Sequence, residues 1–80
     1  MTKLTLPWKE RAVLICDEKD GARRIAGEGS LYAMVHRLKI VKREAWPRYS
    51  ISFPDRQVEP LGFDCSEFDV LIGEQARARI

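Results

Sequence analysis

Residues 30–41 read Ser-Leu-Tyr-Ala-Met-Val-His-Arg-Leu-Lys-Ile-Val and contain the clearest periodic pattern in the chain. Apolar residues recur there at the three- and four-residue spacing of an amphipathic helix. Ser30 is a residue type that caps helix N-termini, so the helix is predicted to begin after it. The helix is predicted to end no later than about Trp46, because Pro47 disfavours helical geometry in the residue before it. An earlier end, near Lys39, is the alternative. The apolar stripe consists of Leu31, Met34, Val35, Leu38, Val41 and Ala45.

Two strands are predicted before this helix. Arg11–Asp17 is a short, β-branched run bounded by polar residues, which favours a buried strand. Asp20-Gly21 indicates a type I′ hairpin turn, which needs positive φ at both central residues. The return strand is expected at Ala22–Ala26 as an edge strand protected by charge. The glycine-containing segment 27–30 is expected to break that strand.

The second half of the chain shows another strand and a helix start. Apolar and polar residues alternate from 48 to 53, as in a strand with one face exposed to water. Gln57–Leu61 is the expected hairpin partner, shortened by its proline. Asp64, followed three residues later by Glu67, predicts a helix N-terminus. A strand at Phe68–Ile72 is the alternative to that helix.

The order β-hairpin, helix, β-hairpin, helix predicts an α+β fold, a two-layer sandwich in which one or two helices cover a small antiparallel sheet. The chain has 80 residues, 45% of them hydrophobic and 32% charged, which predicts one globular domain over 1–80 and excludes intrinsic disorder. Within residues 1–10, Leu4, Leu6 and Trp8 are expected to add a short strand or to pack as an arm. The predicted core comprises Val13, Ile15, Leu31, Val35, Leu38, Ile51, Phe53 and Leu71.

The chain carries no motif typical of catalysis or metal binding. Cys16, Cys65 and the single histidine, His36, are far apart in sequence, which does not fit a zinc site and favours free thiols. The Gly-x-Gly of residues 27–29 lacks the third glycine of a dinucleotide-binding loop. The acidic residues of 64–69 are explained by the helix dipole. We therefore predict no enzymatic activity, no cofactor and no metal.

The localisation expected from the sequence is cytoplasmic. The chain has no apolar stretch of the roughly 18 residues that a membrane span requires. Charged residues at 9–11 interrupt the N-terminal segment, which therefore lacks the apolar region of a signal peptide. No membrane association is predicted.

Charge is distributed unevenly along the chain. Residues 1–54 carry a net charge of +5 and residues 55–80 a net charge of −3. The stretch 37–49 combines five cations with the aromatic residues Trp46 and Tyr49, a composition typical of phosphate contact and base stacking. A solvated helix face with aromatic residues in the core explains the same pattern. The predicted binding surface is Arg37, Lys39, Lys42, Arg43, Trp46, Arg48 and Tyr49.

Small size, charge polarity and the lack of motifs predict a non-enzymatic module that acts through protein–protein contacts. One such role is an accessory or inhibitor protein that docks on a larger complex. The alternative is a nucleic-acid-binding domain that uses the basic stretch. Open sheet edges and exposed apolar residues favour a homodimer, formed by edge pairing or by packing of an apolar face.

Overall fold

The computed structural model describes residues 6–77. Within this range it contains a four-stranded antiparallel sheet and helices, so the predicted α+β class is confirmed. The sheet order is β2-β1-β3-β4, which places β2 and β4 at the edges. The elements are β1 (Arg11–Asp17), β2 (Arg23–Ser30), α1 (Leu31–Leu38), a 3₁₀ helix (Arg43–Arg48), β3 (Tyr49–Ser52), β4 (Gly62–Phe63), a second 3₁₀ helix (Cys65–Glu67) and α2 (Phe68–Arg77).

The turn between β1 and β2 differs from the predicted type I′ turn. Only Gly21 has positive φ there, at +91°, whereas Asp20 does not. The amide of Gly21 donates to the Glu18 carbonyl at 3.0 Å, and the amide of Glu18 donates to the Ala22 carbonyl at 2.7 Å. A three-residue loop with glycine in the left-handed region gives this pattern, and it too matches the twist of the strands.

Strand β2 continues through residues that the sequence suggested would break it. Gly27 pairs with Leu14 of β1, so the predicted break is wrong. The packing around this glycine is close: a Cβ at Gly27 would lie 3.0 Å from the Arg37 side chain and 3.3 Å from the Met34 sulfur. Gly29 has φ +152°, which also favours glycine. The missing side chains let α1 pack closely against this edge of the sheet.

Helix α1 begins where the sequence predicts. The Ser30 hydroxyl accepts a hydrogen bond from the Ala33 amide at 3.1 Å, which confirms the predicted N-cap. The helix ends at Leu38, at the earlier of the two expected boundaries. Val41 and Ala45, the last residues of the apolar stripe, are half-buried beyond the helix end. The buried residues of α1 are Leu31, Met34, Val35 and Leu38.

Residues 6–10 pack against the start of α1. The amide of Leu31 donates to the Glu10 carbonyl at 2.9 Å, and the amide of Tyr32 donates to the Trp8 carbonyl at 3.0 Å. Trp8 also meets Tyr32 edge to face, with ring centroids 6.0 Å apart. The helix N-terminus is therefore satisfied by the chain itself and is not open to an anion. Leu4, part of the predicted N-terminal arm or strand, lies outside the described residues.

The hairpin partner of β3 is β4, on the opposite side from β1, and the predicted hairpin partner Gln57–Leu61 is wrong. The amide of Phe53 donates to the Leu61 carbonyl at 2.9 Å, which closes a wide loop over residues 54–61. Pro60 has no amide hydrogen to donate to a strand ladder, so regular pairing begins only after it.

Residues 68–72 are helical. The Asp64 carboxylate accepts from the Ser66 amide, and the Glu67 carboxylate accepts from the Asp64 amide at 3.3 Å. This capping box begins the second 3₁₀ helix, which leads directly into α2. The alternative of a strand at these positions is therefore wrong.

All predicted core residues are buried except Ile15, which is half-buried. Ile15 pairs with Ile25 of β2, a residue that is 60% exposed. Leu14 and Ile51, which pair with each other, belong instead to the main core cluster. Successive strand residues point to opposite faces, so Ile15 and Ile25 lie on the face away from the core.

Candidate functional site

Two of the five cations predicted to form the binding surface have acidic partners. Arg43, in the first 3₁₀ helix, forms an ion pair with Asp69 of α2. Arg48 lies 3.4 Å from the Glu18 carboxylate and donates to the Asp17 carbonyl at 3.1 Å. These contacts join the basic stretch to the β1–β2 turn and to α2. Arg43 and Arg48 are thus each engaged by an acidic side chain of the same chain.

The carboxylate of Glu18 forms ion pairs with two arginines. It accepts a hydrogen bond from Arg24 at 2.6 Å, and this bond raises the pKa of the Arg24 guanidinium above its usual value. The second partner is Arg48, from the far end of the predicted binding stretch. Charge at this end of the sheet is therefore shared between one acid and two bases.

The aromatic residues of the predicted surface pack against the core. The Trp46 ring meets Phe68 edge to face at 5.6 Å, and the Arg43 guanidinium lies over it at 4.8 Å from the centroid. Tyr49 is partly buried against the same core. Base stacking needs an open ring face, and these contacts already engage the Trp46 ring.

Three cations of the predicted surface remain without an acidic partner. Arg37, Lys39 and Lys42 are exposed, and none of them has a carboxylate within 4.0 Å in the range 6–77. They lie at the end of α1 and in the turn that follows it. We call residues 37–42 the basic turn.

Hydrogen bonds constrain the backbone of the basic turn. The amides of Lys39, Ile40 and Val41 each donate to the carbonyl three residues earlier, at 3.2 Å in every case. Leu38 is buried in the core and Val41 is half-buried, so the turn is anchored on both sides of its tip. A surface with a constrained backbone loses little conformational entropy on binding.

Ile40 lies at the tip of the basic turn and is 83% exposed, more than any other large apolar residue described. Sequence reasoning did not select it. The sequence feature that could have identified Ile40 is its position outside the apolar stripe of the helix, one residue before Val41. A single exposed apolar residue is ordinary. Ile40 stands out because unpaired cations lie on either side of it.

Other apolar side chains are exposed on different parts of the molecule. Ile25 lies on the sheet face away from the core, while Val58 and Leu61 belong to the loop between β3 and β4. All three are less exposed than Ile40.

Within residues 6–77, no group of three or more His, Cys, Asp or Glu side chains is placed to bind a metal ion. Both cysteines are free thiols, Cys16 buried and Cys65 half-buried. No helix within the described residues has the length and apolar character needed to cross a bilayer. The chain matches no protein-family model, no curated protein and no solved structure.

The basic turn can make two kinds of contact at once. Ile40 can enter an apolar depression on another molecule, while the flanking cations meet acidic groups around it. Apolar contact at the centre with charges at the rim is the usual anatomy of a protein interface.

Proposed function

We propose that this chain is a non-enzymatic protein-binding module and that the basic turn is its contact surface. The exposure of Ile40 between three unpaired cations carries the proposal. Such a surface selects a partner that is acidic around an apolar depression. The cations accelerate encounter with that partner, and the apolar contact prolongs the complex. The proposal includes the predicted two-layer arrangement of hairpin, helix, hairpin and helix, with the basic turn at one end of the helix layer.

Nucleic-acid binding is the second candidate, because the same unpaired cations suit phosphate groups. The two candidates differ in what they require of Ile40. A phosphate group makes no favourable contact with an exposed aliphatic side chain, whereas an apolar depression on a protein can bury that side chain. Ile40 is therefore the residue that separates the two functions.

A random peptide library displayed on phage tests the protein-binding proposal. We expect selection on the wild-type chain to converge on peptides in which Asp or Glu flank a large apolar residue. Synthetic versions of these peptides should bind at least about tenfold more weakly to Ile40→Ser, and to Lys39→Gln combined with Lys42→Gln. Ile25→Ser is the matched control, because Ile25 is exposed but lies on the sheet face.

Two outcomes would overturn the proposal. One is the failure of any peptide to be enriched; the other is enrichment of peptides that bind the Ile40→Ser protein as well as the wild type. A parallel anisotropy titration uses single- and double-stranded DNA and RNA at about 0.15 M ionic strength. Binding tighter than roughly 100 µM, with a steep salt dependence and no effect of Ile40→Ser, would favour the nucleic-acid candidate instead.

A further inference from the structure

We propose that the loop between β3 and β4 is a second binding site, separate from the basic turn and suited to a partner of different chemistry. The site takes a segment of another protein in which a large apolar residue stands next to Lys or Arg. The proposal rests on the side chains of residues 54–61, which we call the braced loop, and on the depression beside them.

The braced loop turns its arginine inward and its aliphatic side chains outward. The Arg56 side chain is 24% exposed, pairs with Glu10 at 3.3 Å and donates to the Pro60 carbonyl at 3.1 Å. Val58 and Leu61 are 66% and 54% exposed. Folded chains usually have the reverse arrangement, and exposed apolar side chains that lie close together mark contact sites. The composition of the outer surface of this loop therefore indicates contact with another molecule.

An open depression of about 550 Å³ lies beside these side chains. It is lined by Glu59, Pro60, Leu61 and Gly62, so its wall is mainly apolar and has one carboxylate. The volume exceeds that of any single side chain, so one large apolar side chain of a partner fits. Burial of an apolar group against a few placed polar groups is the usual anatomy of a binding pocket.

The unpaired charge of the braced loop is negative. Arg11 lies 3.5 Å from Asp55, and Arg56 is engaged by Glu10. Glu59 is exposed, and no cation lies within 4.0 Å of it in the range 6–77. Because Glu59 also lines the depression, a cation next to the apolar side chain of the partner would lie beside this carboxylate. Charge complementarity therefore favours a basic segment over an acidic one.

Hydrogen bonds order the braced loop before any partner binds. The Phe53 amide donates to the Leu61 carbonyl at 2.9 Å, and the Arg56 amide donates to the Phe53 carbonyl at 3.2 Å. Together with the bond from the Arg56 side chain to Pro60, these contacts join the two arms of the loop. A loop that is ordered in advance loses little conformational entropy on binding.

The braced loop and the basic turn lie at opposite ends of the sheet. Strand β3 runs antiparallel to β1 and ends near the start of β1, so the loop lies at the Arg11 end. Helix α1 begins at the same end, because Ser30 pairs with Arg11, and runs back along β2 until the Arg37 side chain lies beside Gly27. The basic turn follows from there. The chain can therefore hold two partners at once, one acidic and one basic.

Selection of phage-displayed random peptides on the Ile40→Ser protein tests the proposal, because this variant lacks the apolar residue of the basic turn. We expect enrichment of peptides in which Lys or Arg stands next to a large apolar residue. Synthetic versions should bind the wild type and Ile40→Ser equally. They should bind at least about tenfold more weakly to Leu61→Ser and to Glu59→Lys. In a ¹⁵N-labelled wild type, the largest amide shift changes should fall on residues 58–62.

Val70→Ser and Glu44→Lys are the matched controls and should bind the basic peptides as the wild type does. Val70 is about as exposed as Leu61, and Glu44 is an exposed acidic residue outside the braced loop. Leu61→Ser keeps the backbone carbonyl that accepts from Phe53, and circular dichroism verifies that every variant is folded.

The proposal would be overturned if no basic peptide is enriched, or if the enriched peptides bind Leu61→Ser and Glu59→Lys as tightly as the wild type. Binding that depends on Glu59 but not on Leu61 would overturn it as well, because charge alone would then hold the peptide. If the mass of the wild type in sedimentation equilibrium rises with concentration and Glu59→Lys abolishes the rise, a second copy occupies the depression and the assigned partner is wrong. Binding of basic peptides at the braced loop does not depend on the acidic peptides, so it stands if the basic turn binds none.

Discussion

Leu38→Ala and Ile40→Ala, two residues apart, should differ widely in their effect on the free energy of unfolding. Leu38 is fully buried in the last turn of α1, whereas Ile40 is 83% exposed. Leu38→Ala removes buried carbons and leaves a cavity, which we expect to cost about 3–4 kcal/mol. The chain is small enough that its total free energy of unfolding is roughly 3–5 kcal/mol. Ile40→Ala should change that free energy by less than about 0.5 kcal/mol.

Urea denaturation followed by tryptophan fluorescence measures both changes, because Trp46 packs against Phe68 in the folded chain. With an m-value of about 1 kcal/mol/M, Leu38→Ala should lower the midpoint by about 3 M. Osmolyte stabilisation gives a folded baseline if the variant is largely unfolded in water. A cost below about 1 kcal/mol for Leu38→Ala would contradict the assigned core. A cost above about 1 kcal/mol for Ile40→Ala would show that Ile40 serves the fold, which would remove the argument for its role in binding.

Three further changes test the fold, each by urea or thermal denaturation. Gly62→Ala should lower the free energy of unfolding by more than about 1 kcal/mol, because the new Cβ would lie 2.2 Å from the Ile51 carbonyl oxygen. The control is Gly73→Ala, whose Cβ would meet no atom of another part of the chain within 4 Å. This control should raise the free energy of unfolding by about 0.5–1 kcal/mol. Equal effects of these two variants would contradict the β3–β4 pairing. Ser30→Ala should cost about 1 kcal/mol through loss of the α1 cap, and no loss would mean that the cap is not formed in solution. Arg56→Ala should lower the free energy of unfolding by about 1–2 kcal/mol, because Arg56 pairs with Glu10 at 3.3 Å and donates to the Pro60 carbonyl. An unchanged free energy of unfolding would show that other contacts hold the loop between β3 and β4.

Local signals in the sequence account for the parts of the fold that were predicted correctly. The apolar stripe and Ser30 locate α1 because helix periodicity and capping depend on residues close in sequence. The Asp64–Glu67 capping box predicts the start of the last helical segment for the same reason.

Long-range contacts explain the predictions that were wrong. Gly27 reads as a strand breaker in sequence, yet it pairs with Leu14 within β2, and its missing side chain leaves room for α1 beside that edge of the sheet. The predicted hairpin partner of β3, Gln57–Leu61, precedes the observed strand β4, because Pro60 cannot donate to the ladder and pairing starts only after it. Neither fact follows from neighbouring residues alone.

The candidate site was predictable as a charged region but not in its details. Arg37, Lys39 and Lys42 were selected from the sequence and are exposed. Arg43 and Arg48 were selected as well, but their partners lie 26 and 30 residues away in the sequence, so only the fold shows that their charges are paired.

The most direct test of the basic turn as a protein-binding surface is backbone chemical-shift mapping by NMR. A ¹⁵N-labelled sample is titrated with the peptide selected most strongly from the display library. We predict that the largest shift changes fall on residues 37–42, with the amide of Ile40 among them, and that they disappear in the Ile40→Ser variant. Changes centred on Ile15 and Ile25, or changes at the basic turn that persist in Ile40→Ser, would contradict the account.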